Sequence, residues 1–205
     1  IGVQDSTIRT DAGREHIHIH ANARNSIGTV EAYGLRKTSE ASGDVSLDTG
    51  ADDDTVHINA TANGTQRPRP GNNGTINGNA ANDVLLADIA LAVGIDAYNV
   101  DLGQGNDLLN VNVWANAATP TAIGIRQSIV DTGSGDDRVN IWSNTNDAAG
   151  MDPAIGVQDS TVRTDAGRDH IHIQANAVSG TGTVEAFGLR KTSEASGDVS
   201  LDTGA

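Results

Sequence analysis

The chain has no cysteine, so it can build neither a disulfide framework nor a thiolate metal site. Aromatic residues are only 2% of 205, with one phenylalanine and two tryptophans, whereas a thick globular core normally relies on large rings. Lysine and arginine total 13 against 27 aspartates and glutamates, a net charge of −14. That balance excludes the basic patches that nucleic acid and anionic membrane surfaces require, and it favours cations as partners. No apolar run reaches the length of a membrane span, so membrane insertion is not expected. The chain is rich instead in glycine (24 residues), Asp, Asn and small or branched apolar side chains. Such a composition suits thin, repeated layers.

Two periods organise it. Residues 1–51 recur without gaps as 155–205, an offset of 154, with eight differences. Four of these fall together at 24–27 and change chemistry freely, which marks a loop. Ile8/Val162 and Tyr33/Phe187 keep apolar character and are expected to face inward. The chain therefore reads as one continuous solenoid segment, 1–205, of a tandem array that continues past Ala205 with something like Asp52 to Ala60.

The shorter period follows an Ala-apolar-Gly-apolar motif whose glycines are Gly34, Gly94, Gly124, Gly156 and Gly188. Counted from Gly2, it divides the chain into coils at about 2–33, 34–93, 94–123, 124–155, 156–187 and a partial 188–205. We letter these A, B, C, D, A′ and B′. Coil B is long because it carries a turn-rich loop insert at about 63–82. A fifth coil per period, with Asp83 to Ile89 as its remnant, is the alternative; the absence of the motif from the middle of B favours four.

Each coil holds three strand-like pieces: the Ala-apolar-Gly-apolar segment, a short piece such as Ser128–Val130, and an alternating piece such as Val139–Ser143. Three strands per coil of about 31 residues predict an all-β fold, a parallel β-helix or β-solenoid, right-handed by the general rule for parallel crossovers. A β-propeller needs four-stranded blades of about 40–45 residues, which these units do not supply.

Between the second and third pieces lies an Asp/Gly turn, clearest in Asp131-Thr132-Gly133-Ser134-Gly135-Asp136-Asp137. Stacking the coils turns sequence columns into ladders. One runs Arg9, Asp48, Asp101, Asp131, Arg163, Asp202, and another runs Glu15, Asp54, Asp107, Asp137, Asp169. Carboxylates in line at strand spacing repel. Oxygen-seeking hard cations would neutralise them, and so would hydrogen bonds from turn amides, which Asp accepts routinely. Where Arg enters, in coil A, Arg–Asp ladders are expected in place of a cation: Arg9 with Asp48, Arg14 with Asp53, Arg163 between Asp131 and Asp202, and Arg168 beside Asp136.

The segments Gly133-Ser134-Gly135-Asp136-Asp137 and Gly103-Gln104-Gly105-Asn106-Asp107 resemble the core of the RTX (haemolysin-type) calcium-binding nonapeptide. The resemblance covers about ten residues per coil. It implies calcium between successive turns, held by Asp107, Asp137 and Asp54 and by carbonyls around Gly103, Gly105, Gly133 and Gly135. It also implies a giant secreted bacterial surface protein. The sequence departs from that pattern in having Thr132 or Leu102 for the first glycine and one motif per coil instead of tandem nonapeptides.

His16, His18 and His20 alternate on one strand with His57 in the next coil, a polar ladder that could also share a transition metal. Trp114 and Trp142 are expected to look outward, where they would cover a loop or stack on sugar rings. No nucleophile–base constellation or phosphate loop stands out, and a 154-residue repeat would duplicate any active site, so no enzyme is expected. The expected function is structural: a segment of an extracellular or cell-surface filament, stalk or surface layer, with calcium at the Asp/Gly turns. Its partners would be neighbouring repeats or further copies, end to end. The alternative is a carbohydrate- or surface-binding adhesin, with polysaccharide as partner.

Overall fold

The structure, a computed structural model, describes residues 1–10, 13–25, 30–38, 46–64, 89–117, 119–147, 153–179, 184–192 and 199–203. Every regular element in them is a strand. Coil A contributes β1 (Val3–Gln4), β2 (Ile8–Arg9) and β3 (His16–Asn25); coil B contributes β4 (Val30–Arg36), β5 (Ser46–Asp48) and β6 (Thr55–Gly64). Coil C supplies β7 (Ile89–Asp96), β8 (Asn99–Asp101) and β9 (Leu108–Ala117), and coil D supplies β10 (Thr119–Arg126), β11 (Ile129–Asp131) and β12 (Arg138–Asp147). The second copy of A gives β13 (Ala154–Gln158), β14 (Thr161–Arg163) and β15 (His170–Ser179), and the second B gives β16 (Ala186–Arg190) and β17 (Ser200–Asp202).

Strands at the same place in successive coils pair, always parallel. The first sheet is β1-β4-β7-β10-β13-β16, the second β2-β5-β8-β11-β14-β17, and the third β3-β6-β9-β12-β15. Like columns meet: Tyr33 pairs with Val93, Ile123 with Ile155, and Val139 with Leu109 and Ile171. β4 pairs directly with β7 and β6 with β9, so the coils on either side of residues 65–88 are immediate neighbours. The proposed remnant from Asp83 lies outside the described residues up to Ile89, which opens β7. β6 runs through Asn63 and Gly64, two residues into the expected loop insert, because Asn63 still finds a partner in Asn116. The third strands are ten residues each, longer than the sequence suggested, since inward Ala115 and Thr145 extend the alternation.

The core is a thin prism between the three sheets, filled by Leu47, Ile58, Ile95, Leu109, Ile125, Ile141 and their neighbours, all fully buried. The Ala-apolar-Gly-apolar motif follows from its geometry. A Cβ on Gly124 would overlap the Ile141 side chain of the third sheet and the Gly156 carbonyl of the next coil. Glycine there lets the first sheet lie against the third. The apolar column Tyr33, Val93, Ile123, Ile155 and Phe187 of the first sheet is largely buried, as expected of Tyr33, but in a second cluster separate from the core, and Arg36 and Arg190 lie over its two rings.

Candidate functional site

The Asp/Gly turns stack as tightly as the strands. Gln104 bridges Ala51 on one side and Ser134 on the other, and Ser134 bridges Ala166. Part of the turn backbone is taken up by this stacking: Ser134 N–H donates to the Gly103 carbonyl (3.1 Å), and Gly135 N–H to the Ala166 carbonyl (3.0 Å). Gly133 and Gly135 have φ of 81° and 145°, a region that L side chains rarely enter. A Cβ on Gly135 would also overlap the Gly105 carbonyl oxygen of the coil before. The Gly-x-Gly spacing thus serves coil-on-coil contact in coils C and D, while Asp52 takes the second position in coil B with φ of 91°.

Each predicted carboxylate column is in register, and the two columns have different environments. Asp54, Asp107 and Asp137 point inward and are 1–2% exposed. Each accepts, through Oδ1, the amide of the same column one coil earlier. Glu15 N–H donates to Asp54 (3.0 Å), Asp54 N–H to Asp107 (2.8 Å), Asp107 N–H to Asp137 (2.9 Å) and Asp137 N–H to Asp169 (3.0 Å). The residue before it in each turn forms a second ladder that runs the opposite way. Asn106 N–H donates to Asp53 (2.8 Å), Asp136 N–H to Asn106 (2.8 Å) and Arg168 N–H to Asp136 (3.0 Å). The two ladders bind every turn to the coil above and the coil below.

The inner ladder leaves a residue of unmet demand. Oδ2 of Asp137 accepts the Thr132 hydroxyl (2.6 Å), whereas Oδ2 of Asp54, Asp107 and Asp169 finds no hydrogen-bond partner in the structure. In coil C the position of Thr132 is taken by Leu102, so no hydroxyl is there to donate to Asp107. Burial, with the Asp137 and Asp54 carboxylates adding to it, pushes the Asp107 carboxyl up to about 7. Asp137 is also raised, by burial, against the amide of Asp107 and the Thr132 hydroxyl, which lower it. Thr132→Val keeps the shape and removes the donor. It should cost about 2 kcal/mol, read by urea denaturation.

The outer column carries Asp48, Asp101 and Asp131, paired in register with one another and bounded by Arg9 and Arg163. Burial, then the Asp131 and Asp48 charges, raise the Asp101 carboxyl. The Arg–Asp ladders are present in coil A: Arg9 Nε lies 3.1 Å from Asp48 and Arg14 3.0 Å from Asp53. Arg163 pairs in register between Asp131 and Asp202, and Arg168 reaches Asp136 through its backbone amide. These exposed pairs set register more than they add stability. A further pair that the sequence reading missed, Asp96 with Arg126, is bidentate at 2.7 Å and mostly buried at the first corner. Its signal was the Arg126 column, which meets Asp96 and Gln158.

Calcium ligation as the RTX resemblance implies it would draw on Asp54, Asp107, Asp137 and the carbonyls near Gly103, Gly105, Gly133 and Gly135. In the structure those carboxylates face the core with one oxygen on a neighbouring amide, and the Gly103 carbonyl serves Ser134. Among the described residues no three His, Asp or Glu side chains converge as a metal-binding group. Of Asp48, Asp54, Asp101, Asp107, Asp131 and Asp137, the ones not buried with the core are Asp48, Asp101 and Asp131.

The histidine ladder lies on the outer face of the third sheet. The His18 and His57 rings are 4.7 Å apart, and His57 Nδ1 meets the Asn110 amide at 3.1 Å. Burial, then His18 and His16, lower the His57 pKa. Trp114 and Trp142 occupy the same face, as expected, with Trp114 44% exposed.

Three in-register parallel sheets wound by a single chain define a parallel β-helix, and the stacked turns define its most regular edge. No protein-family profile matches the chain, and no curated protein or solved structure matches it. Among the described residues no helix is long and apolar enough to cross a membrane.

Proposed function

We propose that the chain is a structural segment: a stretch of a long β-solenoid rod, filament or surface layer, whose partners are further repeats stacked end to end. One observation carries this reading. The joint between the first two coils, Val3 on Leu35 and Gln4 on Arg36, is remade 154 residues later as Val157 on Leu189 and Gln158 on Arg190. One period thus regenerates the surface on which it is built, which is the property an extendable array needs. Each coil contacts only its neighbours, so stability should grow with the number of coils. A chain carrying a second 154-residue period should unfold at higher denaturant and with a steeper slope than the 205-residue chain. An added period that unfolds independently at the original midpoint would contradict it.

Calcium belongs to this proposal at the outer stripe of Asp48, Asp101 and Asp131, where carboxylates stand one strand spacing apart and the Asp101 carboxyl is already raised. Millimolar calcium should then raise the midpoint of thermal unfolding in the parent and not in Asp101→Asn. The same midpoint in calcium and in chelator would remove calcium from the account and leave the rod intact. An extracellular or cell-surface setting rests on the RTX resemblance of the turns.

A further inference from the structure

The outer face of the third sheet differs in chemistry from the rest of the surface. β3, β6, β9 and β15 contain no aspartate or glutamate, and β12 contains one only as its last residue, Asp147. The outward positions of these strands hold all six histidines of the chain, His16, His18, His20, His57, His170 and His172, and both tryptophans. Arg24 and Arg138 are there too, and most of the remainder is asparagine. In a chain of net charge −14, this is a broad face whose described outward side chains include no carboxylate.

Its centre is built for flat, hydroxylated rings. Trp114 pairs across the sheet with Asn144, and Trp142 with Asn112, so the indoles sit one strand apart and two residues out of step, roughly 8 Å between their backbones. The Trp142 ring lies 6.1 Å from that of His172, which stacks on His170. Asparagine amides flank the rings as ladders, Asn140 donating to Asn110 and Asn176 to Asn144, both at 2.9 Å. Each amide in such a ladder keeps further donors and acceptors for a ligand. On the sheet the histidines face Thr55, Asn59, Asn110, Arg138, Asn140 and one another. The acidic residues next to them in sequence, Glu15 and Asp169, precede the strands as members of the inner column.

We propose that this face binds an acidic polysaccharide: a chain of sugar rings bearing carboxylate or sulfate groups. Trp114 and Trp142 are the stacking platforms, because an indole offers an apolar surface to the C–H face of a sugar and loses little entropy on binding. The asparagine ladders meet the hydroxyls. Arg138, His170 and His172 meet the anionic groups, and the absence of carboxylates distinguishes this ligand from a neutral glycan, which would tolerate them. Single-stranded nucleic acid also stacks on aromatics, but it needs a basic groove that tracks the phosphates, and two arginines do not make one. This inference goes beyond the structural reading and does not depend on it.

The test uses the 205-residue chain at pH 6 and about 0.15 M salt, where long-range repulsion from the rest of the protein is screened. Binding of polygalacturonate, dextran and a single-stranded oligonucleotide is measured by titration calorimetry. Polygalacturonate should bind and dextran should not. The double variant Trp114→Ala, Trp142→Ala should lose about tenfold or more in affinity with its circular dichroism unchanged. The pair Arg138→Gln, His172→Gln should weaken polygalacturonate binding similarly. No binding of polygalacturonate, equal binding of dextran, tighter binding of the oligonucleotide, or full affinity in the tryptophan variant would each overturn the proposal.

Discussion

Gly135→Ala should lose about 3 kcal/mol or more of stability, from backbone strain at positive φ together with overpacking. The added Cβ has nowhere to go: it overlaps the Gly105 carbonyl oxygen, which belongs to the rigid backbone of the neighbouring turn. Relief requires the two coils to separate there, and separation stretches the amide bonds from Asp107 to Asp137 and from Asp136 to Asn106. Gly124→Ala, which presses on the movable Ile141 side chain as well as on a carbonyl, should cost about 1–3 kcal/mol. Gly188→Ala supplies the control, since nothing lies within 4 Å of its Cβ, and it should stay within about 0.5 kcal/mol of the parent. Urea denaturation of the three variants checks the ranking. Equal costs at positions 135 and 188 would mean that the glycines serve something other than coil contact.

The chain should be more stable at pH 5 than at pH 8, when both are measured in chelator. The sign follows from Asp107. Its folded carboxyl is raised to about 7 against an ordinary 3.8, so between those values the folded chain holds a proton that the unfolded chain has released. Stability therefore falls as pH rises across this window and levels off above the folded value. From pH 5 to the folded value near 7, the loss is on the order of 3 kcal/mol. Asp101 and Asp137 are raised in the same direction, whereas His57, lowered by burial, acts with the opposite sign. Asp5 and Asp159 are lowered, by the amides and hydroxyls of Thr38 and Thr192, and their contribution is lost only below the ordinary carboxylate range. Asp107→Asn keeps an oxygen for the Asp54 amide and removes the charge. It should flatten most of the slope and raise the denaturation midpoint at pH 8. A variant that retains the parent slope would place the titration elsewhere.

Much of this architecture was legible because the chain contains its own comparison. The offset of 154 and the glycine steps fixed which residues share a column, and the columns Arg9–Asp48–Asp101–Asp131 and Glu15–Asp54–Asp107–Asp137 meet in the order read. The outward placement of both tryptophans followed from alternation alone. The direction of the acidic side chains was harder to see. Asp136 and Asp137 are adjacent and chemically identical, so the motif suggests a shared task. Their parity says otherwise: Asp137 falls in step with buried Val139 and Ile141, and Asp136 with outward Arg138. Thr132 was likewise read as a departure from a glycine motif, whereas it is the hydroxyl donor to Asp137. Hydrogen bonds between a side chain and an amide one coil away leave no local signature, because the partners are 30 to 53 residues apart.

Small-angle X-ray scattering on chains carrying one, two and three copies of the 154-residue period tests the central claim most directly. Four coils at about 4.8 Å each should lengthen the particle by about 19 Å per copy, with the cross-section unchanged. A cross-section that grows with copy number, or a length that increases by the diameter of a globular domain per copy, would contradict the stacking of coils on which every part of this account stands.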